Sequence, residues 1–205
     1  IEACMSDRKN GRYGNPGMRL MMLAILSLYL PSHAWALDLT EVFDNTAVTA
    51  PSRVDYREER HNPMLKEPIV LTGYLEYLAQ GHLRKVIETP FEESFLVADG
   101  NIEISRDGET RRLSLSKSKP IRTMLGGIEA ILAGQTDRLS SMFDYELTGS
   151  LSEWSLQLVP KSGRVSKHLT SMLVIGNNST IGSIRIDMIK GEWSLMEIRQ
   201  PEPDL

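Results

Sequence analysis

Residues Glu93 to Ser116, ESFLVADGNIEISRDGETRRLSLS, decide the fold class. Asp99-Gly100 and Asp107-Gly108 are two-residue hairpin signals. A turn of that length needs positive φ at both central positions, which glycine adopts freely and aspartate tolerates. Around these turns apolar residues recur at every second position: Ile102 and Ile104 in Asn101–Ser105, then Leu113 and Leu115 in Thr110–Ser116. A period of two on both sides of each turn predicts an antiparallel meander with one apolar face.

Toward the N-terminus the alternation continues. Pro90 separates Glu93–Ala98 from a strand expected over His82–Glu88. Glu67–Leu78 places Ile69, Leu71, Leu75 and Tyr77 on alternate positions, with Gly73 marking a bulge. Arg53–Arg60 is polar with Val54 and Tyr56 alternating, as in a strand with one wet face. Ahead of it, Leu39, Val42 and Phe43 fall at helical spacing within Leu37–Val48, with Asp38 as N-cap and Pro51 as the stop.

Toward the C-terminus the pattern changes. Ile121, Met124, Leu125, Ile128, Ile131 and Leu132 form one stripe of a helix over Lys119–Ala133. Thr136–Phe143 is a second short helix. Strands resume over Tyr145–Leu151, Glu153–Pro160, Val165–Ile175, Thr180–Met188 and Trp193–Arg199, most clearly at Trp154-Leu156-Leu158. The expectation is one domain of about ten strands, with a helix at its start and a helical insert in mid-sheet. The apolar stripe has two explanations: ordinary core packing on the sheet, or a movable lid over a hydrophobic cavity. Gly126-Gly127 inside this helix costs about 1 kcal/mol per glycine against alanine, which suits a lid that opens and equally suits close packing.

Near the start, Arg19 precedes an uninterrupted apolar run, Leu20–Leu30, that Pro31 breaks. Ala34-Trp35-Ala36 puts small residues at the two positions a signal peptidase reads. The run is shorter than the roughly 18 apolar residues of a spanning helix. The expectation is a signal peptide over 18–36, cleaved after Ala36, with 1–17 an over-extended start and 37–205 a single exported domain. The only cysteine is Cys4, so that domain forms no disulfide, and no cysteine follows the apolar run to carry a lipid anchor. The whole chain carries −4 and its first 36 residues +2, leaving −6 on the rest. Such a surface argues against nucleic acid, whose phosphates are bound by Lys and Arg, and against more than transient contact with anionic membranes.

No constellation announces catalysis. His61, His82 and His168 are spread without ligand-like spacing, and there is no G-x-S-x-G elbow, phosphate-cradling loop or H-E-x-x-H. Glu58-Glu59 and Glu92-Glu93 are adjacent carboxylates; neighbours on a strand point to opposite faces, so these read as solvated charges on a wet face. No enzyme activity, catalytic residue, metal or cofactor is expected.

Gly73-Tyr-Leu-Glu-Tyr77, then Leu83, Pro90 and Phe95-Leu-Val-Ala-Asp-Gly100 resemble the periplasmic outer-membrane lipoprotein carrier proteins, the LolA-like family. The family's order is a helix, a G-x-L strand, a strand ending in proline, a strand running into an L-V-x-D-G turn, a helical segment and a second set of strands. This chain is similar from about Leu39 to Ile198, with Trp154-Ser-Leu-Gln-Leu-Val-Pro160 resembling the second-half strand and Gly191-Glu-Trp-Ser-Leu-Met-Glu-Ile198 a divergent branch. The resemblance implies a mainly β fold: an incomplete, strongly curved antiparallel β-barrel closed by an N-terminal helix and a mid-sheet helical lid. It also implies a monomeric periplasmic carrier that shields the acyl chains of a lipoprotein or other lipid cargo between an inner-membrane donor and an outer-membrane acceptor.

Two departures stand out. The basic Arg-Pro step that latches the lid in carrier proteins is here Leu78-Ala79-Gln80-Gly81, and the aromatic expected two residues after Leu83 is Lys85. These changes leave room for a non-lipoprotein lipid or a polyene-type pigment as cargo, or for a static envelope module that binds a partner protein with the same half-barrel. A C16 acyl chain resists entering water by on the order of 12 kcal/mol, so a carrier must offer comparable apolar surface. Candidate cavity-wall residues are Leu75, Tyr77, Leu83, Phe95, Leu113, Leu115, Trp154, Leu156 and Leu158; candidate lid contacts are Ile121, Met124, Leu125 and Ile128.

Overall fold

The computed structural model describes residues 37–199; the expected leader and start segment lie outside them. Among the described residues three α-helices, α1 (Leu39–Thr46), α2 (Lys119–Leu132) and α3 (Thr136–Met142), accompany eleven strands, in keeping with the expected ten or so. The strands are β1 (Ser52–His61), β2 (Ile69–Ala79), β3 (His82–Thr89), β4 (Glu93–Ala98), β5 (Asn101–Arg106) and β6 (Glu109–Ser114), then β7 (Phe143–Ser150), β8 (Glu153–Pro160), β9 (Leu169–Asn177), β10 (Thr180–Met188) and β11 (Trp193–Arg199).

They form one antiparallel sheet in the order β6-β5-β4-β3-β2-β1-β11-β10-β9-β8-β7, curved and not closed. The two ends of the strand series meet in mid-sheet, where β1 pairs with β11. The two edges, β6 and β7, are consecutive in sequence, and α2 and α3 occupy the connection between them. The architecture is thus the incomplete barrel with helices that the family resemblance implied.

Local chemistry explains the elements. Both Asp-Gly turns have positive φ at each residue: 49° and 71° at Asp99-Gly100, 51° and 79° at Asp107-Gly108. The Asp38 carboxylate caps α1 by accepting from the Thr40 N–H at 3.2 Å. That helix ends at Thr46, ahead of Pro51, and its exit is tied to α2 by the Val48 N–H donating to the Leu132 carbonyl at 2.9 Å. Gly73 marks the expected bulge, since the β2–β3 register shifts between Thr72 and Gly73.

Among the differences, two concern boundaries and one concerns burial. Leu115 leaves the strand it was expected to share with Leu113, because β6 ends at Ser114 and Leu115–Lys117 turn into a short 3-10 helix whose Leu115 side chain is buried. Val165 belongs to the turn before β9, where its N–H donates to the Ser162 carbonyl, although it is fully buried. Glu58 is no solvated charge: it is 3% exposed, and its face is the concave one.

The sealed core sits between the helices and the second half of the sheet. Val42 and Phe43 of α1, Ala130 and Ile131 of α2, and Leu139 of α3 pack on Trp154, Leu156, Leu158, Met172 and Val174. Gly126 and Gly127 mark the tightest approach: a Cβ would lie 3.3 Å from Met142 Sδ at the first and 2.8 Å from the Phe143 ring at the second. Close packing therefore accounts for the glycine pair.

Candidate functional site

Strand register fixes which side chains share the concave face. Leu156 and Leu158 define it in β8, and their partners carry it to Val174 and Met172, then Ile184 and Ile186, then Met196 and Ser194. Through β11 it reaches Tyr56, Glu58 and Arg60 of β1, then Gly73, Leu71 and Ile69 of β2. Continuing outward it takes in Leu75 with Lys85, Tyr77 with Leu83, Phe95 with Ile104, and Ile102 with Leu113.

The face has two unlike halves. Trp154, Leu156 and Leu158 are at most 1% exposed, under the helices. Leu75, Tyr77, Leu83 and Phe95, in the first half, are only partly buried and lie outside the sealed cluster. Leu113 shares this face on the edge strand but is 53% exposed, because no strand follows it in the sheet. The helices pack on the second half; in the first, Tyr56, Leu71 and Ile87 are buried as well, and the seam between helix and sheet runs along Leu83 and Val97.

At that seam lies a cavity of about 320 Å³, near the lower end of the range for small-molecule sites. Leu83 and Val97 of the sheet, Leu115 of the 3-10 turn and Leu125 of α2 give it apolar walls. Leu83, Leu115 and Leu125, chosen separately as wall and lid candidates, meet here. Val97, Arg122, Glu129 and Arg138 also line it and were not among the residues expected from the sequence. Val97 was legible, since it shares the parity of Phe95. Glu129 was not, because its burial depends on Arg138 of α3, whose guanidinium donates to it at 2.6 Å. The remaining helix candidates divide: Met124 and Ile128 pack against the core, while Ile121 is 37% exposed.

A second hollow, of about 400 Å³, is lined by Glu88, Glu92, Glu93, Arg106 and Asp107 among others. Its charged lining makes it a poor apolar receptor. Among the described residues no group of His, Cys, Asp and Glu is arranged to hold a metal ion. His61 stacks on Trp193 with 5.4 Å between ring centroids, and His82 lies 3.6 Å from Asp99.

Polar chemistry does enter the concave face near its centre. Glu58 receives two cations: Lys85 Nζ at hydrogen-bond distance and Arg60 Nη2 at 3.2 Å. The Lys85 ammonium lies 4.8 Å above the Tyr56 ring, and the Tyr56 hydroxyl donates to the Val86 carbonyl at 3.1 Å. The Tyr56 phenol spans β2 beside its register partner Gly73, whose missing Cβ would stand 2.0 Å from the same Val86 oxygen. Burial pulls the Lys85 ammonium below the ordinary lysine range, which Glu58 partly offsets; burial and then Glu58 push the Tyr56 phenol up.

A family model described as outer membrane lipoprotein carrier protein LolA-like matches residues 31–196. The chain belongs to the LolA-like family. No curated protein matches it. Solved structures similar to it include a LolA superfamily protein from Nitrosomonas europaea, 12% identical, with a TM-score of 0.44 over 83% of this chain and 96% of that one. The lipoprotein LppX from Mycobacterium tuberculosis is 11% identical, with a TM-score of 0.41 over 82% and 97%. The MucA/MucB complex from Pseudomonas aeruginosa gives 13%, 0.42, 80% and 56%.

This LolA-like chain turns from β2 to β3 at Gln80-Gly81, with φ of 78° at Gly81. The Glu129 carboxylate lies beside that turn, within 3.8 Å of where a Gly81 Cβ would stand, and pairs with Arg138 on α3. Among the described residues no helix is long and apolar enough to cross a membrane.

Proposed function

We propose that this protein is an exported periplasmic carrier, released from its leader after Ala36. It binds the acyl chains of a lipoprotein or other lipid in the unsealed half of its concave face and passes them from an inner-membrane donor to an outer-membrane acceptor. One observation carries this reading: Leu83, Val97, Leu115 and Leu125 enclose an apolar cavity at the seam between sheet and helix, in a chain of a lipoprotein-carrier family.

The chemistry fits a shuttle. Leu75, Tyr77, Phe95 and Ile104 extend the apolar surface away from the cavity, giving a chain room to lie along the face. The two faces of α2 divide the labour: Ala130 and Ile131 anchor it in the core, while Leu125 and Arg122 border the cavity. Entry then needs movement at the seam without loss of the core. Release follows from an acceptor of higher affinity.

Lipid extraction and mass spectrometry on protein purified from periplasm test the proposal, with displacement of a neutral hydrophobic fluorophore as a second measurement. Stoichiometric acyl lipid supports the carrier. An empty protein that binds no such fluorophore refutes it. Trp154 emission is no substitute readout, since that ring is 1% exposed in the sealed core.

A further inference from the structure

An apolar trough for alkyl chains has no need of Glu58, Arg60 and Lys85. Removing a carboxylate and an ammonium from water costs several kcal/mol per ion, and apolar residues of similar volume often do as well or better for stability. Yet Glu58 is 3% exposed on the concave face, flanked in register by Leu71 and Met196, and Lys85 stands between Leu75 and Phe95. The charge balance is uneven. Glu58 holds two cations, and the next acid on this face, Glu93, is paired in register with Arg106. Glu58, Arg60 and Lys85 together carry one surplus positive charge.

Access and position point the same way. The side chains of Lys85 and Arg60 are 21% and 39% exposed, so both can meet a ligand that Glu58, at 4%, cannot. Lys85 is two residues from Leu83 on the same face of β3, roughly 7 Å along the strand from the cavity wall. Resting on the proposed carrier function, we infer that Lys85 and Arg60 form a head-group site for an anionic amphiphile. Its carboxylate or phosphate lies against these two cations, and its acyl chain runs toward the Leu83–Leu125 cavity. Glu58 is the positioning residue: it draws both long side chains inward.

The test compares ligands with one oleoyl chain and different heads: neutral monoolein, oleate with a carboxylate, and oleoyl lysophosphatidic acid with a phosphate. Each displaces a neutral fluorophore from the full-length exported protein, below micelle concentrations. At least one anionic ligand is expected to bind tenfold or more tightly than monoolein, and whichever it is identifies the head. Arg60→Gln and Lys85→Met are expected to lower that preference severalfold while leaving monoolein unchanged. Because Lys85→Met removes a partner of a buried acid, the charge-balanced Glu58→Gln/Lys85→Met double variant is measured beside it. Equal affinity for all three ligands, or variants that weaken monoolein as much as the anions, overturns the head-group site and leaves the carrier intact. Failure of every ligand to displace the fluorophore overturns the carrier reading itself.

Discussion

Lys85→Met is the most informative single perturbation of stability. It keeps an apolar stem of similar length over Tyr56 and removes only the ammonium, which lies 4.8 Å from that ring. Glu58 then remains 3% exposed with one partner, Arg60, itself more than a third exposed. Orphaning a buried charge completely costs about 3–5 kcal/mol; with Arg60 still in place, a loss of about 2–3 kcal/mol is expected. For a domain of this size that corresponds to a fall in Tm of very roughly 5–10 °C. Glu58→Leu/Lys85→Met removes both charges and is expected within about 1 kcal/mol of the parent, or above it. Urea denaturation followed by circular dichroism, on the parent, both single variants and the double, gives the coupling energy directly. Additivity within about 0.5 kcal/mol would refute the reasoning, since it would mean that the two groups do not sense each other.

Other outcomes follow from the same structure. Gly176→Ala would put a Cβ 2.2 Å from the Trp154 ring and 2.5 Å from the Thr180 carbonyl oxygen, so a loss of about 3 kcal/mol is expected in thermal unfolding; a shift of under 1 kcal/mol would show that the ring moves freely. Leu125→Asp, at the cavity, is expected to abolish fluorophore binding with little change in Tm, whereas Ile128→Asp, packed against the core, should destabilise by several kcal/mol; the reverse pattern would exchange their roles. The pH dependence has two limbs. Lys85 sheds its proton in the folded state below the ordinary 10.5, so in that interval the unfolded chain binds more protons and stability rises with pH. The Tyr56 phenol stays protonated when folded beyond the 10.0 of the free side chain, so above that value stability falls. A urea midpoint that climbs through the alkaline range, turns near pH 10 and loses its descent in Tyr56→Phe is expected; a flat midpoint would exclude both effects. Asp38→Ala should cost about 1 kcal/mol by removing the α1 cap.

The fold was legible because its signals are local. Paired Asp-Gly turns, alternating apolar residues and one helical stripe are each written in fewer than sixteen residues, and together they define the meander and its insert. Parity within a strand was legible too, and it carried more than the apolar pattern suggested. Once Val54 and Tyr56 face inward, Glu58 and Arg60 must follow, and Lys85 must share the face of Leu83 and Ile87. What no strand discloses is which half of a face the helices will cover. Trp154 and Phe95 have the same sequence signature, yet one is sealed and the other is not, because coverage depends on where α2 and α3 land. The cavity is formed by Leu83, Val97, Leu115 and Leu125, residues of four different elements. Its existence is a property of tertiary packing alone.

The pairing of β1 with β11 places the first and last strands of the described chain side by side in mid-sheet. During synthesis the β1–β6 meander can zip up from local hairpins, but one side of β1 stays bare until the final strand emerges. The β7–β10 meander waits likewise with β10 open. The two halves therefore become one sheet only at the last step, and until then each offers an unsatisfied edge to any passing strand. Such a chain profits from being held extended and released whole, and a truncation that removes Trp193–Arg199 should yield two sticky half-sheets in place of a slightly shortened protein.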